Sequence, residues 1–170
     1  NIVGGYEDGT FRPDQPVTRA ELMKILAAYF PGETGSASFT DVPETHWAYQ
    51  AVAFGAGKGF VAGYEDGPFR PAQPVTRAEA VKMINGALGR IPEEGHLAEL
   101  ISQNPFQDVD QNDWYYATAA AAYAHGLASA DDNFYPHRPV TRGEFTTILA
   151  RAMEHIGWLS IPENGQIQDL

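Results

Sequence analysis

Val3-Gly-Gly-Tyr-Glu-Asp-Gly-Thr-Phe-Arg-Pro-Asp-Gln-Pro-Val-Thr-Arg-Ala-Glu21 returns 58 positions later as Val61-Ala-Gly-Tyr-Glu-Asp-Gly-Pro-Phe-Arg-Pro-Ala-Gln-Pro-Val-Thr-Arg-Ala-Glu79. A worn third copy ends as Phe134-Tyr-Pro-His-Arg-Pro-Val-Thr-Arg-Gly-Glu144, a further 65 positions on. A second element recurs with an offset of 67: Phe39-Thr-Asp-Val42 followed by Trp47, and Phe106-Gln-Asp-Val109 followed by Trp114. Such self-similarity marks a repeat architecture, in which each unit buries its apolar face against its neighbours.

Each unit reads as two helices joined by a turn-rich loop. The first helix is expected to begin near Thr45 or Asn112, to carry Trp47 or Trp114, and to stop at Gly59 or Gly126 in a left-handed cap. The second has a full start signal. Thr18-Arg-Ala-Glu21, Thr76-Arg-Ala-Glu79 and Thr141-Arg-Gly-Glu144 are capping boxes, with Val17, Val75 and Val140 placed to staple onto Leu22, Ala80 and Phe145. An apolar stripe follows at helical spacing: Leu22, Ile25, Leu26, Tyr29, Phe30 in the first copy, with counterparts in the others. The units are bounded as repeat one (partial) 1–31, repeat two 39–89 and repeat three 106–156, within one domain over 1–170. Between the last two lies an insertion, 90–105, whose Leu97, Leu100 and Ile101 suggest a short amphipathic segment; a tail, 157–170, closes the chain. Asn1 aligns with Gly59, so the first helix of repeat one is expected to be absent from this chain. The tail, upstream sequence of a longer protein or another chain would fill its place. Self-association through an exposed face of Leu22, Ile25 and Leu26 is therefore expected.

Composition bounds the function. The 170 residues hold 11 basic and 22 acidic side chains, a formal charge of −11. That excludes a general nucleic-acid binder, which needs a basic face matched to phosphates. No apolar run approaches the roughly 18 residues of a membrane span. With no cysteine there is no disulfide, thiolate zinc site or cysteine nucleophile. Asp108-Val-Asp110-Gln-Asn112 resembles a calcium loop but has Asp113 where glycine is required and Ala119 in place of the bidentate Glu. The five histidines lack metal-ligand spacing, and no catalytic or nucleotide motif occurs. No enzyme, metal or cofactor is implied.

Three arginines stand out. Arg19, Arg77 and Arg142 sit at the first helical position, where a cation meets the positive end of the dipole and loses ~0.3–1 kcal/mol. Two accounts stand open. One is a salt bridge to a loop acid such as Asp8 or Asp66. The other is an anion site, free N–H groups at the helix start joining a guanidinium fork around a carboxylate or phosphate. Tyr6, Tyr64, Trp47 and Trp114 are either sugar-stacking platforms or core aromatics, the core being the commoner place for Trp on a short helix. Arg12, Arg70, Lys24 and Lys82 read as solvated; the third copy puts Tyr135 and Thr147 in their places. Its loop also lacks the Gly-Tyr pair and is two residues shorter, so the third site is expected to be poorest, with Arg142 the arginine in doubt.

Phe-x-Asp-Val with its following Trp, then Gly-Tyr-x-Asp-Gly-x-Phe-x-Pro and Thr-Arg-Ala-Glu, resembles the S-layer homology (SLH) repeat over Val3 to about Ile156. The resemblance implies one all-α, pseudo-threefold domain of three repeats on a bacterial surface protein, held non-covalently to the cell wall. It also implies binding of secondary cell-wall polymer, often at a pyruvylated amino-sugar, in grooves between repeats. The residues it implicates are Arg19, Arg77 and Arg142, with Gly5, Tyr6, Asp8, Gly63, Tyr64, Asp66, Trp47 and Trp114. An acidic domain meeting an anionic polymer gains nothing from long-range steering, so binding with weak salt dependence is expected. The alternative is a structural or protein-interaction scaffold within a larger surface protein, with no glycan binding.

Overall fold

The structure is a computed structural model and describes residues 4–30, 35–36, 38–89, 104–129, 133–155, 159–160 and 168–169. Among the described residues five helices make the fold: α1 (Arg19–Tyr29), α2 (Tyr49–Gly57), α3 (Arg77–Ala87), α4 (Tyr116–Ala124) and α5 (Arg142–His155). Two two-residue strands of the tail, β1 (Leu159–Ser160) and β2 (Gln168–Asp169), pair antiparallel and leave the architecture all-α. The insertion with Leu97, Leu100 and Ile101 lies outside the described residues.

Local signals act where they are read. Thr18 and Thr76 each accept from the third helical N–H while Glu21 and Glu79 accept from the cap N–H. Thr141 and Glu144 make the same exchange at 3.3 and 3.0 Å. At the far end of α2, Gly59 at φ +78° lets its N–H reach Ala56 O while Phe60 N reaches Gly55 O. Gly126 at φ +69° repeats both bonds after α4, so each is a Schellman cap that an L side chain would strain. Trp47 and Trp114 precede their helices; they sit in the turns before α2 and α4. In the first of these, His46 Nδ1 accepts from Ala48 N at 3.1 Å, which favours turn over helix.

The repeats close into a ring through their backbones. Val17 N donates to Val140 O, Val140 N to Val75 O, and Val75 N to Val17 O, at 2.9–3.0 Å. Each Pro-Val-Thr segment thus touches both others at a pseudo-threefold axis. The same principle satisfies the helix starts. Arg19 N and Ala20 N donate to Gln73 O and Pro71 O, Arg77 N and Ala78 N to Arg138 O and Pro136 O, and Arg142 N and Gly143 N to Gln15 O and Pro13 O. The N–H groups expected to be open to an anion are therefore occupied by the neighbouring repeat.

Around this ring α1 packs on α2 and α3 on α4, so the second helix of each repeat leans on the first helix of the next. Among the described residues no helix stands in that relation to α5, which meets β1 of the tail. The core is continuous, with Val17, Leu22, Leu26, Phe69, Phe134 and Phe145 fully buried. The expected exposed face on α1 does not exist. Leu22 and Leu26 are buried and Ile25 is half-buried because α2 covers them, which removes the reason given for self-association.

Candidate functional site

The loop of repeat two is held from both sides. Asp41 accepts from Phe69 N at 2.9 Å and Arg70 N at 2.6 Å, pinning Arg70 at φ +59°. Asp108 does the same for Phe134 N and Tyr135 N, both at 2.7 Å, with Tyr135 at φ +56°. The Phe-x-Asp-Val aspartates are thus loop clamps, a role the sequence did not announce because the donors lie 28 and 26 residues away. Tyr64 N to Pro68 O and Gly67 N to Tyr64 O fold the loop back on itself. Gly63 is required there, since a Cβ would come within 2.8 Å of Gly67 O.

Onto this loop comes the arginine of the preceding repeat. Arg19, 3% exposed, donates from Nε to Phe69 O (2.9 Å), from Nη2 to Ala62 O (3.2 Å) and from Nη1 to Glu79 Oε1 (3.0 Å). Its guanidinium also lies over the rings of Tyr64 and Phe69. Arg142, 6% exposed, repeats the arrangement on loop one, donating to Phe11 O (2.9 Å) and Gly4 O (2.8 Å) over the rings of Tyr6 and Phe11. Arg77 lies over Phe134 of loop three. The pairing is offset by one unit, so the worn third loop faces Arg77, while Arg142 serves the intact first loop. The expectation that set Arg142 in doubt is corrected accordingly.

The salt bridge considered for these arginines forms, at Arg19, with Glu79 instead of a loop acid. Asp8 and Asp66 pair with Arg12 and Arg70 at 2.7 Å on the outer side of their loops. Arg12 and Arg70 in turn cover the faces of Tyr6 and Tyr64 at 4.0 and 4.1 Å, so they are part of the loop and not simply solvated. Hydrogen bonds from the Thr10 side chain and backbone, and from Arg12, hold the Asp8 carboxyl well below its ordinary range.

A groove of about 380 Å³ runs beside Arg19, walled by Gly63 and Tyr64, by Lys82 and Met83 of α3, and by Trp114 of repeat three. All three repeats contribute to it. Glu79 is its hub: Oε1 accepts from Arg19 and from the Tyr64 hydroxyl (2.7 Å), Oε2 from Thr76. Burial alone would push the Glu79 carboxyl up, but Tyr64, Thr76 and Arg19 outweigh it and hold it below its ordinary value. Tyr64 is pushed up to about 12 by burial and by its bond to Glu79. Gln73 Nε2 completes the network by donating to the Tyr64 hydroxyl at 2.9 Å. At loop one the Tyr6 hydroxyl is buried without a partner among the described residues.

The tryptophans are not core. Trp47 and Trp114 are 58% and 57% exposed, because each sits on a turn ahead of its helix. Lys24 and Lys82 approach their rings, at 5.4 and 5.0 Å from the centroids. The third groove, about 510 Å³, is lined by Arg77, Arg138, Glu144 and Thr147 among others. Among the described residues no group of His, Asp or Glu could hold a metal, and no helix is long and apolar enough to cross a membrane.

The sequence that builds these three arginine-on-loop units is similar to known proteins. The family model for the S-layer homology domain matches residues 1–23, 38–81 and 105–146. The chain is 35% identical over 139 residues to the cellulosome-anchoring protein of Acetivibrio thermocellus, covering 78% of this chain and 30% of that protein. It is 27% identical over 156 residues to the surface-layer 125 kDa protein of Lysinibacillus sphaericus, covering 91% of this chain and 13% of that one. With exoglucanase XynX of Acetivibrio thermocellus it shares 34% over 143 residues, 79% of this chain and 12% of that enzyme. The chain thus spans less than a third of the length of each of these relatives. The family matches cover more than half of the chain, and each includes one Thr-Arg-x-Glu helix start on the closed ring. The chain belongs to the S-layer homology domain family.

Proposed function

We propose that this domain anchors a larger surface protein to the bacterial cell wall by holding secondary cell-wall polymer, at a pyruvylated amino-sugar terminus, in its inter-repeat grooves. Family membership places the chain at the cell surface. Cell-wall anchoring fits relatives named as a cellulosome-anchoring protein and S-layer proteins. A module shared with these and with an exoglucanase is read as non-catalytic.

The observation that carries the reading is the second-loop groove. It joins an exposed indole, a Gly-Tyr loop and cations in a chain of net charge −11. Evolution of a packed core does not require an exposed Trp, whereas a pyranose ring stacks on one. Gly63, Tyr64 and Trp114 line this site, and Gly5, Tyr6 and Trp47 occupy the corresponding places on loop one. Asp8 and Asp66 act from behind by holding Arg12 and Arg70 against the tyrosines. Arg19 itself is spent on protein acceptors, which favours the scaffold reading for that residue alone.

Substituting the arginines therefore tests stability and binding together; substituting the tryptophans separates them. Sedimentation with purified sacculi, before and after the polymer is stripped, is the experiment. Binding that requires polymer and falls in Trp47→Ala/Trp114→Ala, with unfolding unchanged, is expected, and it should weaken little between low and moderate salt. Equal sedimentation with stripped walls, or by the tryptophan variant, would sink the reading.

A further inference from the structure

Loops one and two each place a glycine directly after an aspartate, as Asp8-Gly9 and Asp66-Gly67. That pair carries a chemistry of its own. The amide nitrogen after an aspartate can attack the side-chain carboxyl carbon and close a five-membered succinimide, and glycine leaves that nitrogen unshielded because it has no Cβ. Gly9 and Gly67 both lie at positive φ, +78° and +101°, and among the described residues nothing stands within 4 Å of where a Cβ would be. Both N–H groups donate to the tyrosine carbonyl at the head of the loop, Gly9 N to Tyr6 O at 2.9 Å and Gly67 N to Tyr64 O at 2.8 Å. The attacking side is therefore alike in the two loops. Asn85-Gly86 could close the same ring, but it is held in the helical geometry of α3 with Asn85 buried, and Asn164-Gly165 lies outside the described residues.

The carboxylates differ. Asp8 accepts from Thr10 N at 2.9 Å and Thr10 Oγ1 at 2.6 Å on one oxygen, and from Arg12 Nη2 at 2.7 Å on the other. Asp66 keeps the arginine bond, from Arg70 Nη2 at 2.7 Å, but Pro68 stands where Thr10 does and has neither N–H nor hydroxyl to donate. Attack needs a neutral carboxyl group, so that one oxygen can leave as water. Bonds from the Thr10 side chain and backbone, and from Arg12, hold Asp8 ionised to well below the ordinary carboxylate range. They also fix both of its oxygens, whereas one oxygen of Asp66 is left without the threonine.

We infer that Asp66 is a site of spontaneous backbone isomerisation, and that Thr10 protects Asp8, its counterpart in loop one. Gly67 N forms a bond to Asp66 Cγ, and one carboxyl oxygen leaves as water with the acid proton and the amide proton. Water then adds back to the succinimide. Opening at Cγ restores aspartate; opening at the original main-chain carbonyl gives isoaspartate, whose backbone runs through the former side chain. Nothing is oxidised or reduced, and the water released is the water consumed. Isoaspartate lengthens the loop by one carbon and carries its carboxylate on a shorter arm. Loop two thereby loses the Asp66 pair that braces Arg70 against Tyr64, while loop one keeps its own. This holds whatever the groove binds.

The test is prolonged incubation of the full chain at neutral pH, well below its melting temperature, followed by peptide mapping in which a protein-isoaspartate methyltransferase labels the product. Isoaspartate should build up about tenfold faster at Asp66 than at Asp8, since each unit by which a carboxyl pKa falls cuts its neutral fraction by that factor. Pro68→Thr should slow Asp66 to the rate of Asp8, and Thr10→Pro should speed Asp8 to the rate of Asp66, each with the untouched loop as the control in the same digest. Asp66→Glu keeps the charge but cannot close a five-membered ring, so its loop-two signal should vanish. Equal rates at Asp8 and Asp66 in wild type, or no isoaspartate at Asp66, overturns the inference. So does a Pro68→Thr variant that melts like wild type and isomerises as fast. If Pro68→Thr does not fold, Thr10→Pro decides: an Asp8 rate that stays at its wild-type value overturns the protective role of Thr10.

Discussion

The second and third loops are built on one backbone and wired differently. Both are clamped by an aspartate from Phe-x-Asp-Val, both hold a non-glycine residue at positive φ, and both receive the N–H groups of a neighbouring helix start. Their side chains diverge. At loop two Gln73 supports Tyr64, and Tyr64 shares Glu79 with the cross-repeat Arg19. At loop three Arg138 stands in the place of Gln73 and takes both oxygens of Glu144, at 3.1 and 2.6 Å. A carboxylate whose closest cation comes from the preceding repeat in one groove takes its bidentate cation from its own repeat in the other. The scaffold lives in main-chain bonds and tolerates loss of the Gly-Tyr pair; the groove chemistry lives in side chains and does not.

The largest expected effect breaks or confirms this contrast. Arg19→Ala strips three hydrogen bonds and leaves Glu79 partly buried without its cation, so a loss of about 3 kcal/mol is expected. Arg77→Ala should lose only about 1–2 kcal/mol, because Glu144 keeps Arg138. Urea unfolding of the two variants measures the difference. Equal losses would mean that the third groove relies on its arginine as fully as the second. Next come the clamps. Asp41→Ala and Asp108→Ala each orphan two loop N–H groups and should lose about 2 kcal/mol apiece, equal within error, if the backbone scaffold is common to both loops.

What the sequence made legible follows the reach of each signal. Capping boxes, helix-ending glycines and the apolar stripe act within four or five residues, so their roles could be read directly from Thr18, Gly59 and Leu22. The closed ring could not, because Val17, Val75 and Val140 are joined only after three units come together. Neither could the one-unit offset that seats Arg142 on loop one, 131 residues from its acceptor Phe11. The tryptophans were misplaced for a local reason: a turn at 44–48 delays the start of α2, and two positions are enough to move an indole from a helix face to solvent.

An acid titration sharpens the comparison at lower amplitude. Burial pushes both Glu79 and Glu144 up, but Glu79 is held below its ordinary value by Tyr64, Thr76 and Arg19, and Glu144 by Arg138, Thr141 and Arg77. A depressed folded pKa contributes stability that is present above the unfolded value, near 4.5, and lost as pH falls through the folded one. Melting temperature should therefore drop below about pH 4.5. Glu79→Gln should flatten that drop while lowering stability at neutral pH. In Glu144→Gln, raising the salt concentration should change little, since the Arg138 pair it removes is exposed and already screened.

The smallest effect isolates the backbone from the side chains. Arg70 and Tyr135 occupy equivalent left-handed positions, at φ +59° and +56°, where an ordinary L residue is strained by roughly 1 kcal/mol and asparagine by less. Tyr135 is exposed and carries no clamp partner on its side chain, so Tyr135→Asn should stabilise by about 0.5 kcal/mol. Arg70→Asn relieves the same strain but gives up the bond to Asp66 and the cover over Tyr64, so it should show no gain. An upward thermal shift in Tyr135→Asn and none in Arg70→Asn is the expected result. It would mean that loop two accepts a strained arginine because that side chain braces the groove, and that in loop three the strain persists with nothing left to brace.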